Sequence, residues 1–223
     1  MLIAIEGIDG SGKGTQTKML ESRLANEGLE VAVFSFPRYS ENFFGREVGN
    51  YLDGQFGGLE EVHPKFSALL YALDRFESRI QISKALEQGK YVICDRYIGS
   101  NIAHQCAKVP HNKSVELATW IKTVEETILQ TKTPDKVIFL DIDVHQSALL
   151  VAKKDKREYT DKTHDIHEAS SDHLQSALTN FRQLAKSDNW ITIYCNKADG
   201  TMKSAEKISE EIYSYIHREN NPP

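Results

Sequence analysis

The sequence predicts an α/β fold, a five-stranded parallel sheet flanked by helices on both faces, and three observations predict it. An apolar run over residues 2–6 has the length of a buried strand and leads into a glycine-rich turn, after which helical periodicity begins. Four further strand-length runs, at 30–35, 91–94, 136–141 and 190–194, alternate with helical segments, as a parallel sheet with crossover helices requires. At 223 residues, with no Pro/Gly/Ser linker and no shift in composition, the chain reads as a single domain, 1–223, with room for a sizeable core.

The first strand hands over to Gly7-Ile8-Asp9-Gly10-Ser11-Gly12-Lys13-Gly14-Thr15. Its glycines permit positive φ and close approach of a ligand, and the helix that follows, from 15 to about 27 with Met19, Leu20 and Leu24 at helical spacing, turns its N–H groups toward the same concavity. Lys13 adds a full charge at the rim, so the turn reads as a P-loop, a cradle for polyphosphate, at the head of a P-loop NTP hydrolase-like fold. The strict G-x-x-x-x-G-K-[ST] pattern is not met, because Gly14 follows Lys13 and the hydroxyl comes at Thr15. Thr15 is placed to reach Mg²⁺, directly or through a water.

The second strand ends at Phe36-Pro37-Arg38-Tyr39, which sets Arg38 at the carboxyl edge of the sheet, where ligands of open α/β sheets bind. Residues 40–62 read as a loop with a short helix, rich in glycine and aromatics. A long helix follows from 63 or 64 to about 88, with Phe66, Leu69, Leu70, Leu73, Phe76 and Ile80 as its expected core stripe. Tyr71, Arg75 and Arg79 lie roughly opposite, and that stripe reads equally as a solvent face or as a cleft-facing ring followed by guanidiniums.

The third strand delivers Asp95-Arg96-Tyr97, then Ser100, Asn101 and Gln105 on a helix. An acid at a strand end beside a P-loop suits a group that orders Mg²⁺ and its waters, and Arg96 can fork onto a phosphate; a buried Asp–Arg pair is the structural alternative. Helix 114–131 carries Leu117, Ile121, Val124 and Ile128 as a core stripe, and Pro134 precedes the strand 136–141, which closes on Asp141 and Asp143. After a helix begun near His145, residues 153–168 are dense in charge and nearly empty of core residues, the reading of a lid or of a solvated loop. His164 and His167 flank Asp165 there without an evident further metal ligand. Helix 168–186, the strand 190–194, Asn196-Lys197-Ala198-Asp199 and a last helix to about 217 lead to a loose tail at 219–223.

The net charge of −5 argues against long nucleic acid as a partner and for a small substrate met by locally gathered cations. No apolar run approaches the ~20 residues of a membrane span, and no targeting segment is expected. Cys94, Cys106 and Cys195 are widely spaced within apolar runs, as reduced thiols of a cytoplasmic protein would be.

With the cradle, Phe36-Pro37-Arg38, the Tyr71-to-Arg75 stripe and Asp95-Arg96-Tyr97-Ile98-Gly99-Ser100-Asn101 in that order, the chain resembles the thymidylate (dTMP) kinases over nearly its whole length. The resemblance implies transfer of the γ-phosphoryl group of ATP to dTMP, giving dTDP, by a Mg²⁺-dependent homodimer. It implies that Gly7, Gly10, Ser11, Gly12, Lys13, Gly14 and Thr15 hold ATP, with Asn196 bordering the donor's base, and that Thr15 and Asp95 serve the metal. By the same resemblance Asp9 approaches the acceptor sugar, Arg38 and Arg96 clamp its phosphate beside Phe36, and Tyr71 stacks on thymine. Arg75 donates to a thymine carbonyl, and Ser100, Asn101 and Gln105 read the other edge.

Three departures stand out: Tyr71 where phenylalanine is common, Cys106 where many members have glycine, and Gly10 where one branch carries an arginine. The last implies the branch whose lid supplies the cation, with Arg157 the first candidate before Lys153, Lys154 and Lys156. An acceptor monophosphate, with a second pKa of about 6, is already a nucleophile near neutrality and needs no general base. Two rivals remain at this level. A kinase for another nucleoside monophosphate would use the same cations, and a GTP-binding switch would explain Asn196-Lys197-Ala198-Asp199, which resembles the guanine-reading N-K-x-D motif, but such a switch also needs a D-x-x-G after a further apolar strand, apart from the cradle, and a hydroxyl directly after the cradle lysine, where this chain has Gly14.

Overall fold

The architecture was obtained as a computed structural model and is described for residues 1–151 and 171–217. Its centre is β1 (Leu2–Glu6), buried at every position because it lies between two other strands and under helices on both faces. Five parallel strands, β1, β2 (Val31–Ser35), β3 (Tyr91–Asp95), β4 (Lys136–Asp141) and β5 (Trp190–Tyr194), form one sheet in the order β2-β3-β1-β4-β5. Alternate residues feed opposite layers, as the pleat dictates. Leu2, Ala4, Val92 and Cys94 pack into one core, and Ile3, Ile5, Ile93 and Phe139 into the other.

The order has a functional consequence. Chain and sheet diverge at β1, whose neighbours β3 and β4 lie on either side, and a crevice opens at the carboxyl ends at such a point. The register pairs Ile5 with Asp95, so the cradle after β1 and the Asp95-Arg96 step after β3 emerge side by side. Helices α1 (Lys13–Asn26), α2 (Phe43–Leu52), α3 (Pro64–Glu87), α4 (Ile98–Cys106), α5 (His111–Lys122), α6 (Val144–Val151), α7 (Ser171–Leu184) and α8 (Ala205–His217) complete the layers. Among the described residues no helix is long and apolar enough to cross a membrane. The segment expected as a lid, with Arg157, Lys153, Lys154, Lys156, His164 and His167, lies outside the described residues, as does the expected loose tail.

Two expected core stripes are corrected. On α3, Phe66 and Ile80 are 50% and 70% exposed, while Ser67, Ala68, Ala72, Asp74, Arg75 and Ser78 are buried. Leu70 is buried as expected, with Ile82 and Ala85 further along, but between them the inward face holds small residues, which let α2 and α4 approach, and two charges that find partners inside; Leu69, Leu73 and Phe76 are half-buried, and Phe66 and Ile80 point outward. Periodicity marks an apolar face but not what covers it.

The second correction follows α5. The helix passes into a π-helical turn, Thr123–Ile128, in which Leu129 N–H reaches back to Val124 O at 2.9 Å. Leu117 and Ile121 face the core as expected, but the next inward residue is Glu125, fully buried, and Ile128 is 68% exposed. Cys94, Cys106 and Cys195 are free and buried, and burial pushes the thiols up, Cys106 to about 11 and Cys195 to about 12, so they stay protonated and unreactive near neutrality.

Candidate active site: a phosphate cleft opening into a base-sized pocket

Lys13, at the first turn of α1, folds back over the cradle and donates to the carbonyls of Gly7 at 3.0 Å and Ile8 at 2.8 Å. Ser11 Oγ accepts a third, longer bond at 3.4 Å. The loop can close this way because Gly12, with φ of 89°, takes the left-handed conformation just before the helix. Gly10 is required twice over: its φ is 75°, and a Cβ there would run into the backbone carbonyl of Ser147 on α6, whose hydroxyl also donates to Asp9 O. An arginine at position 10 has no room in this chain.

The cleft over the cradle is lined by Asp9, Gly10, Gly12, Lys13, Gly14 and Thr15 on one side. Arg38, Asp95 and Arg96 face them across it. A Cβ on Gly14 would lie 3.3 Å from Asp95 Oδ2, so the Asp95 carboxylate reaches the first turn of α1, one residue from the exposed Thr15 hydroxyl.

Arg96 is held on several sides. Its φ is 65°, a conformation an L-residue adopts only where the surroundings fix it, and its N–H donates to Ile5 O at 3.0 Å. Nη1 donates to Gly7 O at 3.3 Å and Ser100 Oγ at 3.2 Å, and Nη2 pairs with Asp9. Burial opposes the charge, but Asp9, Asp95 and Glu6 outweigh it and raise the guanidinium pKa, so it is always ionised. Glu6, buried at the end of β1, accepts from the N–H groups of Tyr97 and Ser100, both at 3.0 Å, and so caps α4 from outside the helix. Burial raises its pKa against the pull of Ser100, Arg96 and Lys13.

Arg38 is tethered by its backbone, which donates to Asp74 Oδ2 at 3.1 Å, and by a guanidinium–Glu41 pair. Its Nε is buried with no hydrogen-bond partner among the described residues.

Beyond Arg96 the cleft leads into a narrower pocket lined by Tyr71, Arg75, Ser100, Asn101 and Gln105, with Asp9, Phe36, Pro37, Tyr39 and Arg96 shared with the cleft. The Tyr71 ring meets Tyr51 edge-on, centroids 6.4 Å apart. Arg75 is not on a solvent face: it is 2% exposed and grips Glu125 side-on, Nε to Oε2 at 3.0 Å and Nη2 to Oε1. That geometry leaves its other amino group for the pocket.

Glu125 Oε1 also accepts from Asn101 Nδ2 at 2.9 Å, and Ala68 O takes the second amide hydrogen at 3.0 Å. Both Nδ2 hydrogens being used, Asn101 Oδ1 is left as a buried acceptor without a partner among the described residues. Gln105 is its complement. Ser67 Oγ donates to Gln105 Oε1 at 2.6 Å, and Gln105 Nε2 is a buried donor without a partner among the described residues. A buried acceptor and a buried donor at one pocket, both without a partner among the described residues, suit a ligand that presents the opposite pair.

The expected residues thus divide. Asp9, Lys13, Arg38, Asp95, Arg96 and the glycine turn surround the cleft; Phe36 is shared; Tyr71, Arg75, Ser100, Asn101 and Gln105 line the pocket. Asn196 is not brought to either. Its Nδ2 donates to Gln146 Oε1 at 2.6 Å and Gly200 O at 3.2 Å, beside a separate surface hollow lined by Asp141, Arg182 and Lys197. Glu6, Asp74, Glu125, Tyr39, His104 and Lys108 were missed. Only Glu6 carried a signal, a carboxylate inside an otherwise apolar strand.

A family model described as thymidylate kinase matches residues 5–210 of the chain. A probable thymidylate kinase of Methanocaldococcus jannaschii is 33% identical over 217 residues, covering 97% of this chain and 95% of that protein. A thymidylate kinase of Halothermothrix orenii is 31% identical over 228 residues, covering 97% and 96%. Among solved structures, the thymidylate kinase of Candida albicans superposes with a TM-score of 0.75 at 21% identity, covering 98% of this chain and 92% of that one, which establishes a shared fold.

Proposed function

The chain belongs to the thymidylate kinase family and phosphorylates dTMP to dTDP at the expense of ATP, and from that premise we propose how its residues divide the work. ATP phosphates occupy the cradle under Lys13, and dTMP enters the narrower pocket with its phosphate toward Arg38 and Arg96. The observation that carries this reading is the unsatisfied pair, Asn101 Oδ1 and Gln105 Nε2, beside the Arg75 amino group. Thymine offers an N–H at N3 between two carbonyls, so the acceptor meets N3–H and the donors meet the carbonyls. Cytosine reverses N3 and one neighbour, which sets like groups against each other at two buried positions.

Chemistry then needs positioning more than proton transfer. The acceptor dianion is the nucleophile, and no carboxylate base is required. Lys13 exchanges its carbonyl contacts for phosphate oxygens. Arg96 exchanges Asp9 for the acceptor phosphate, which frees Asp9 to meet the sugar hydroxyl. Tyr71 covers the base and Phe36 closes the pocket's other side, excluding water.

Thr15 and Asp95 suit a magnesium ion carried mainly by substrate. Among the described residues no cluster of three His, Cys, Asp or Glu side chains makes a protein cage, and Mg²⁺ in such enzymes leans on phosphate oxygens and waters with one or two protein oxygens. When bound, the ion offsets charge on the transferring phosphoryl group. Arg157 is the lid cation of this reading.

The homodimer of this reading forms through the outward stripe of α3, where Phe66 and Ile80 are exposed and Leu69, Leu73 and Phe76 half-buried. Ile80→Glu is expected to turn a dimer into a monomer in sedimentation. The buried thiols support a reducing, cytoplasmic setting. The decisive assay follows ADP release with dTMP, dUMP, dCMP and dGMP as acceptors at one ATP concentration. Turnover should be fastest with dTMP and fall at least about a hundredfold with dCMP, as a mismatched polar edge demands. Equal turnover on dCMP would refute the base-edge assignment.

A further inference from the structure

Lys108 lies just past α4, three residues after Gln105 and outside the pocket, yet its ammonium is spent on that pocket's rear wall. It donates to Val62 O at 2.9 Å, to Tyr51 Oη at 3.2 Å and to Ser67 Oγ at 3.2 Å. An ammonium has three hydrogens and no acceptor capacity, so all three are assigned. Ser67, fully buried, therefore accepts from Lys108 and has one proton to give. Gln105 Oε1 is the near acceptor at 2.6 Å, against 3.3 Å for Pro64 O.

The two ends of the Gln105 amide are nearly the same size, and what distinguishes them is charge. Turned over, the amide would aim its N–H groups at a hydroxyl oxygen already holding an ammonium hydrogen, with the positive end of the amide facing a cation. We infer that Lys108 is a positioning residue for substrate selection: acting through Ser67, it holds Gln105 with its carbonyl inward and its Nε2 donor toward the base of the acceptor nucleotide. This rests on the reading that Gln105 faces the base. Burial lowers the Lys108 pKa to about 8, with Glu60 pulling the other way, so the charge that fixes the amide is present near neutrality.

The test uses the full chain and steady-state kinetics at saturating ATP, with dTMP and dCMP as acceptors, for Lys108→Met, Ser67→Ala, their double variant and Gln105→Ala. Losing one oriented hydrogen bond should raise KM for dTMP about five- to tenfold in each single variant and lower the dTMP-to-dCMP preference by a similar factor, with kcat within about twofold. Because the two residues act in series, Lys108→Met should add nothing further in the Ser67→Ala background. Effects that multiply, or a Lys108→Met enzyme with unchanged KM and preference, would overturn the inference. Gln105→Ala without effect on dTMP would overturn the pocket reading and the inference with it; Gln105→Ala with an effect and Lys108→Met without one would overturn the inference alone. Should Lys108→Met fail to fold, Ser67→Ala carries the test, since it deletes one oxygen and must show the same acceptor-specific rise; wild-type KM and preference there would refute the relay.

Discussion

Replacing Arg96 by Met isolates what its guanidinium contributes. Both side chains carry a Cβ, so the cost of holding φ at 65° is common to the two proteins and cancels. The backbone bond from position 96 to Ile5 O is also untouched. What disappears is the planar fork that contacts Gly7 O, Ser100 Oγ and Asp9 in the free enzyme and two phosphate oxygens in the working one. Asp9 borders the open cleft and takes up water when its partner is lost, so little stability is at stake. Each hydrogen bond between charged groups contributes about 1.5–3 kcal/mol, and two of them about 3–6 kcal/mol, or between a hundredfold and ten-thousandfold in kcat/KM for dTMP. ADP release coupled to a reporter enzyme measures that ratio, and calorimetric titration with ATP alone measures the donor side, where affinity should stay within about threefold because Lys13 and the cradle amides are intact. A loss under tenfold for dTMP, or an equal loss of ATP affinity, would show that Arg96 does not hold the acceptor phosphate.

Three more expectations follow from the same contacts. Glu125→Gln leaves the buried Arg75 without its counter-ion, and the cost should be about 3 kcal/mol by urea unfolding, with Asp74 offsetting part of the lost charge; a change under about 1 kcal/mol would mean the pair is not desolvated. For Lys108 the folded pKa, about 8, lies below the ordinary lysine value of 10.5, so between those values the unfolded chain holds a proton the folded chain has released. The contribution is complete above 10.5 and is lost as pH falls through 8, so the stability of wild type relative to Lys108→Met should rise with pH across that window; a falling difference would refute the burial of this charge. Arg157→Ala should lower kcat more than it weakens either nucleotide, and an unchanged kcat would remove that residue from the mechanism.

The sheet was legible because its strands are short, apolar and punctuated: 136–141 and 190–194 coincide with β4 and β5, and the others agree within a residue. The cleft was legible because its chemistry is local. A glycine turn with Lys13, and an Asp-Arg step at a strand end, sit within a few residues of one another in sequence. The pocket's rear wall was not. Glu125 follows Leu117 and Ile121 at four-residue spacing on the inward face, but a carboxylate at such a position reads as exposed unless its buried partner is known. Arg75 left a choice between solvent and cleft because its partner lies 50 positions away. On α3 the apolar stripe was read as core; Leu70 is buried, but Phe66 and Ile80 are exposed and the inward face also holds Ser67, Asp74, Arg75 and Ser78.

The cations of this site are matched in advance, in an acidic chain, by partners a nucleotide can displace or leave in place. Lys13 rests on two carbonyls, Arg38 on Glu41 and Arg96 on Asp9, all at or near the open cleft. These contacts can be exchanged because an arriving phosphate offers each cation oxygens in return, so no charge is left unpaired. Arg75 differs: its partner Glu125 is fully buried, and trading that bond away would strand a charge in a dry interior. The three outer cations are therefore suited to follow phosphate as it arrives and reacts, whereas Arg75, Asn101 and Gln105 form a fixed template that accepts a base or rejects it. Discrimination among bases should consequently survive conditions, such as raised salt, that weaken phosphate binding, because screening acts on exposed charge and scarcely on a buried polar pocket.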